Sequence, residues 1–286
     1  MLNSTLIMAN AFGDQMETNY RQMFGSSEPA YAELLNTAGR LTIEIIATSD
    51  ALYHNAEHTM LVTLVGQEIY RGRHLRERVT PQDWLHYTAA LLCHDIGYVR
   101  GVCSGDTQQS FVVDAEGNRF TPSRGASDAS LTPYHVERGK IFVRERLGQN
   151  SEFDVERISR AIELTRFPVP DNEDHSETKS EAGLVRAADL IGQMADPRYL
   201  QKLTNLYHEF VETGAAEKLG YESAADLADG YPKFYWNVVE PYIEDAIQYL
   251  QLTQEGKQWV ANLHSIVFAI EHGQNAFGPF RETDAD

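Results

Sequence analysis

The stretch Ala89-Ala90-Leu91-Leu92-Cys93-His94-Asp95-Ile96-Gly97 limits the possible folds of this chain more than any other. A helix built from Ala89 to Cys93 has no polar face, so it belongs in the interior rather than at the surface. The run ends on an ionisable pair, His94 and Asp95. Burying such a pair is costly unless a partner compensates. A metal ion is the simplest partner that accepts an imidazole and a carboxylate together. Gly97 suits the left-handed turn that closes many helices. The stretch therefore predicts two adjacent metal ligands at the C-terminal end of a buried helix. A structural histidine beside a capped or solvated aspartate is the other reading of the dipeptide taken alone.

The surrounding chain has 286 residues, enough for one large domain or two small ones, and its 42% hydrophobic residues supply a sizeable core. A net charge of -18 argues against nucleic acids and anionic membranes as partners. It also obliges any phosphate site to bring a metal or a local cluster of Arg and Lys. Cys93 and Cys103 are the two cysteines; Cys93 reads as a small core residue, and no disulfide framework is expected, which fits a reducing cytoplasm. The first residues lack the basic and long apolar regions of a signal peptide. No window approaches the ~20 apolar residues of a membrane span.

Helical periodicity organises the rest into an all-α fold. Residues 1–27 read as a loose N-terminal arm with a short helix at Gln15–Met23. Residues 28–272 read as a single helical domain, with core motifs in 50–195 and a helical extension in 196–272; residues 273–286 read as a solvated tail. Leu34, Leu35, Ala38, Leu41, Ile45 and Ile46 mark the first helix of the domain. A second runs from His54 to about Arg73, and on it His54 and His58, four apart, are neighbours on an apolar face. As an isolated pair they read first as core histidines bonded to backbone carbonyls, and only second as ligands. Thr80-Pro-Gln-Asp83 is a helix start, with a cap, an early proline and an acid at the positive end. Residues 101–131 are rich in Gly, Ser, Asp and Thr and carry a small β-hairpin, Phe111–Phe120, turning at Glu116-Gly117-Asn118. Leaving directly from His94-Asp95, this insertion reads as a lid over the site or as a surface decoration. His135 and Arg138 stand near the start of the next helix. Another spans about Val155 to Arg166 and is stopped by Pro168 and Pro170. In the helix that follows, Asp189 is bracketed by Ala187-Ala188 and Leu190-Ile191, so it caps, pairs or ligates. The aromatics of 221–271, Tyr231 to Trp259, read as packing.

His58, His94-Asp95 and Asp189 thus fall on three separate predicted helices. Two imidazoles and two carboxylates suit Mn, Fe, Co, Ni, Zn or Mg without selecting among them. This ordered set, with His-Asp-Ile-Gly intact, resembles the HD superfamily of metal-dependent phosphohydrolases over roughly residues 50–195. Tyr53-His-Asn-Ala-Glu-His58 is similar to the His-Asn-x-x-His motif of cyclic-nucleotide phosphodiesterases. The resemblance implies an HD-domain helical bundle holding one or two divalent ions. It implies His58, His94, Asp95 and Asp189 as metal ligands and His54 as proton donor to the leaving oxygen. Asp95 would also orient the water that hydrolyses a phosphomonoester, nucleotide or cyclic nucleotide. Those phosphodiesterases carry a further histidine three residues after the aspartate; here that position is Tyr98. His135 is then the candidate second-metal ligand, or else a helix-terminal histidine with no metal. Arg138, Lys140 and Arg186 are candidates to steady a substrate phosphate, against a reading as surface charge. Two rival readings are an HD-type di-iron oxygenase and a catalytically idle HD module that binds a nucleotide or a partner. The oxygenase would want another histidine in Ile158–Arg166, where the chain offers Glu163 and Thr165. The expected partner is a small phosphorylated molecule, and self-association into a homo-oligomer is left open.

Overall fold

The computed structural model describes residues 3–273 and 278–280. Most of the expected tail, 273–286, therefore lies outside the described residues. The fold is all-α with one small β-hairpin.

The first two helices correct the loose-arm reading. Helix α1 runs unbroken over Ser4–Phe24 and buries Ala9, Phe12, Met16 and Tyr20 along one stripe. Asn3 caps it by accepting from the Leu6 N–H, and Gly25, at φ 63°, closes it. It packs along α2, Pro29–Ile46, which buries Leu35, Ile43 and Ile46. Asn10, Gly13 and Asp14 lower the helical propensity of α1 enough to hide it from a local reading. Burial of its apolar stripe overrides that propensity.

Four helices form the centre: α3 (Ala56–His74), α4 (Pro81–Cys93), α6 (Val155–Glu163) and α7 (Glu181–Met194). Helix α4 opens on the expected cap. Thr80 Oγ1 accepts from the Asp83 N–H at 3.1 Å, and Asp83 Oδ2 accepts from the Thr80 N–H at 2.9 Å. Every residue from Trp84 to Cys93 is buried, as its all-round apolar pattern requires. Helices α3 and α7 touch backbone to backbone: a Cβ on Gly192 would stand 2.8 Å from the Cα of Val62. That close approach brings the start of α3 up to the middle of α7, where Asp189 sits.

The insertion after α4 pairs β1 (Phe111–Val112) with β2 (Arg119–Phe120), Phe111 opposite Phe120, and then enters α5 (His135–Arg146). Its root is bound into the body by the buried Arg138 of α5. The extension consists of α8 (Tyr199–Thr213), α9 (Ala215–Leu219), α10 (Ala224–Phe234), α11 (Glu240–Leu250) and α12 (Gln254–Glu271). Its aromatics mostly pack: Tyr231 is buried and donates to the Met194 carbonyl at 2.7 Å, whereas Trp236 is half exposed and reaches Glu271. No described helix is long and apolar enough to cross a membrane.

Candidate metal centre

Asn55 sets the first half of the site. Its side-chain oxygen accepts from the N–H groups of Glu57 (3.0 Å) and His58 (3.3 Å), so α3 begins at Ala56. His58 lies in the first turn of that helix, buried. His54, expected one turn away on the same helix, instead lies in the turn before the cap. The two rings still approach, with centroids 5.7 Å apart and nearly perpendicular.

The end of α4 sets the second half. His94 Nδ1 lies 2.8 Å from the Leu91 carbonyl. That bond assigns the proton to Nδ1 and leaves the lone pair on Nε2 facing inward. Asp95 follows in a tight turn whose 3-10 segment is Ile96–Tyr98. Gly97 corrects a prediction: it is not among the residues with positive φ. It is needed for space, because a Cβ there would stand 1.9 Å from the His135 carbonyl oxygen. The missing side chain lets the start of α5 close on the turn and carries His135 toward Asp95.

The four expected ligands converge. Nitrogen or oxygen atoms of His58, His94 and Asp95 all lie within 4.8 Å of one another. His58 Nε2 is 3.3 Å from Asp95 Oδ2 and 3.2 Å from Asp189 Oδ1. His94 Nε2 is 3.2 Å from Asp95 Oδ2 and 3.6 Å from Asp189 Oδ1. Yet His94 Nε2 and Asp95 Oδ2 are buried without any hydrogen-bond partner. Buried polar atoms are nearly always paired, so two orphaned lone-pair donors facing each other fit a cation between them. Imidazole nitrogens and carboxylate oxygens are the donor set of a divalent ion. His135 is more distant, its Nε2 4.0 Å from Asp95 Oδ1 and its Nδ1 2.6 Å from the Thr132 carbonyl.

Charge in this cluster is strongly polarised. Burial raises the cost of ionising Asp95 and Asp189, but the facing histidines outweigh it and hold both carboxyls well below their usual range. Burial would lower the His94 pKa; Asp95 and Asp189 reverse that and lift it well above normal, so a proton on Nε2 and a metal ion compete for the same position. The groups attract positive charge, and the side chains of Asp189 and His54, 22% and 19% exposed, give solvent a way in.

Two residues at the site were not anticipated. Glu209, on α8, places Oε2 2.5 Å from His54 Nδ1 and accepts from the N–H groups of Tyr53 (2.7 Å) and His54 (3.3 Å) with its other oxygen. Burial opposes a charge on His54, but Glu209, with Asp95 and Asp189, raises its pKa to about 9. Tyr98 is the second. Its ring stacks between His54, at 4.5 Å, and His135, at 4.6 Å between centroids. The space between those histidines is therefore filled by an aromatic ring.

The three cations expected at a phosphate are all engaged elsewhere. Arg138 is fully buried and bonds Asp106 and the carbonyls of Gly97, Val99 and Val112. Lys140 Nζ lies 2.8 Å from Glu137 and 2.6 Å from Glu163. Arg186 donates to the carbonyls of His175 and Glu177, with its guanidinium 4.1 Å from the centroid of the Tyr242 ring. Each holds the fold together, which corrects both the phosphate-binding and the surface-charge readings. Glu163, the residue weighed for a di-iron centre, is likewise tied to Lys140, Arg166 and His175.

Fold and site together define a class: an all-α protein with a buried His/Asp cluster that can hold a metal ion. The chain belongs to the Npun_R2479-like family, which it matches over residues 2–273. No curated protein matches it.

Proposed function

We propose that this chain is a metal-dependent phosphohydrolase of the HD kind, acting on a small phosphoester. The observation that carries the reading is the pair of orphaned atoms, His94 Nε2 and Asp95 Oδ2, facing His58 Nε2 in a buried cluster. His58, His94, Asp95 and Asp189 would hold one divalent ion. Bound there, the ion supplies Lewis acidity toward a phosphoryl oxygen and toward water. The Tyr98 ring between His54 and His135 favours one ion over two.

The chain's own residues supply the rest. His54 engages Glu209 through Nδ1, which leaves Nε2–H free to protonate a leaving oxygen. With its pKa raised to about 9, His54 carries that proton at neutral pH. Glu209 orients the ring and balances its charge. Asp95, at the floor of the centre, accepts a hydrogen bond from the attacking water and so aims it.

The test compares His54→Ala with His58→Ala across phosphomonoesters, nucleotides and cyclic nucleotides, with Mn²⁺ and other divalent ions supplied. His58→Ala should lose metal and activity together. His54→Ala should keep its metal and lose about two to four decades of turnover, the usual scale for a positioned acid. That loss should shrink on nitrophenyl esters, whose leaving oxygen needs little protonation. Equal metal loss in both variants would end the proton-donor assignment, and a wild-type chain that takes up no metal would end the whole reading.

A further inference from the structure

Away from the metal centre, a trough of about 650 Å³ runs between α2 and α5. Helix α4 forms its floor with a different face: Leu91 packs on Gly66 of α3, while Leu92 and Cys93 look into the trough. Leu41 and Ile45 of α2 form one wall, Phe142 of α5 and Phe153 the other. Leu41, at the lip, is 46% exposed, although the other walls are largely buried. This is the size and lining of a small-molecule site, which is usually a concave apolar surface with a few polar groups at its edge.

The edge carries one uncommitted cation. Arg146 lines the trough, is exposed, and makes no ion pair or hydrogen bond through its guanidinium among the described residues. Arg100, also on the edge, is bound to Asp50 and Asp128. Glu44 lies 3.9 Å from Arg40. An unpaired guanidinium above an apolar floor complements a molecule with an apolar body and one anionic head. A carboxylate matches the planar fork of arginine through two parallel bonds.

We propose that this trough binds an acyl-chain monocarboxylate, its chain against Leu92, Phe142 and Phe153 and its carboxylate on Arg146. The site is separate from the metal centre and does not depend on what that centre does.

The probe is dodecanoate, titrated calorimetrically into the full-length chain below its micelle-forming concentration. Saturable binding at one site per chain is expected. Arg146→Gln should weaken it about tenfold or more, the scale of a charge-assisted bond. Dodecanol should bind more weakly than the acid and ignore that substitution. Ile45→Trp should fill the trough and abolish binding; Arg146→Gln, at an exposed position, serves if the bulky variant misfolds. Metal content should be unchanged in both. Absent saturation, many equivalent sites, or equal affinity in wild type and Arg146→Gln would each overturn the proposal. So would a dimer that Leu41→Glu abolishes in a chain that ignores dodecanoate, since the trough would then belong to a second copy.

Discussion

Two buried ionic clusters lie a few residues apart in this molecule, and they are built on opposite plans. Around Arg138, every donor has an acceptor. Nε bonds the Gly97 carbonyl at 2.7 Å, Nη1 bonds Val112 and Asp106, and Nη2 bonds Val99 and Asp106, which accounts for all five N–H groups. Asp106 also accepts from the N–H groups of Gly101 and Val112, at 2.9 Å each. Around His94 and Asp95, by contrast, lone pairs face lone pairs and two atoms have no partner. A satisfied buried charge network specifies structure. An unsatisfied one, with all its free atoms acceptors or ligands, can hold a cation. The two clusters share one turn: Arg138 grips the Gly97 and Val99 carbonyls just behind Asp95, so the first cluster holds the second in shape.

The largest effect should follow from breaking the satisfied cluster. Arg138→Met takes the donor from three carbonyls and strips the buried Asp106 of its counter-charge, leaving it only backbone N–H groups. Removing one partner of a buried charged pair typically costs about 3–5 kcal/mol. Denaturant unfolding should register a loss of that size, and metal uptake should weaken as the turn behind Asp95 loosens. A loss below about 1 kcal/mol, the scale of an exposed pair, would mean that Arg138 is not the anchor it looks to be.

Emptying the second cluster should matter less to stability, and only when metal is present. A ligand that binds the folded state alone stabilises it by about 2.7 kcal/mol at a hundred times its Kd. Chelation should therefore lower the melting temperature of the wild-type chain, by roughly 5–10 °C for a protein of this size. Asp189→Asn should blunt that shift, since Asp189 Oδ1 lies 3.2 Å from His58 Nε2. An undiminished chelator response in this variant would remove Asp189 from the ligand set.

The contrast also explains what was legible in the sequence. His94-Asp95 and Asp189 each stand in an apolar run, where a charge needs a reason, so a local reading singles them out. His58 shows itself by sharing an apolar helix face. Arg138, Lys140 and Arg186 mislead because a sequence displays a charge without its partners; those of Arg138 come from the insertion and from the turn after α4. Glu209 is separated by 155 residues from the histidine it orients. Its signal was the same kind, an acid on the stripe of Leu203 and Leu206, but nothing local ties it to His54. Tyr98 shows only as the absence of a histidine; that its ring fills the gap between His54 and His135 is a tertiary fact. Helix α1 was hidden because its apolar stripe is diluted by weak helix formers and counts only once α2 covers it.

The smallest effect should come from the tip of the insertion, and it separates a brace from a lid. The root of the hairpin belongs to the satisfied cluster: Val112 bonds Arg138 and Asp106, and Phe111, 5% exposed, lies 5.9 Å by its ring centroid from that guanidinium. The tip has no such ties. Asp114 accepts from the Asn118 backbone at 2.9 Å and from its side chain at 2.7 Å, both within the turn and both in solvent. Replacing Asp114 and Asn118 with alanine should therefore cost no more than about 0.5 kcal/mol each, the usual range at the surface. Metal content should not change. If the tip swings over the mouth near His54 and Asp189, the double variant should raise KM for the best substrate while leaving kcat alone. If the hairpin is only a brace, both constants should hold. A double variant as unstable as Arg138→Met would show that tip and root fold as one unit, and the division between an anchored base and a free end would fall.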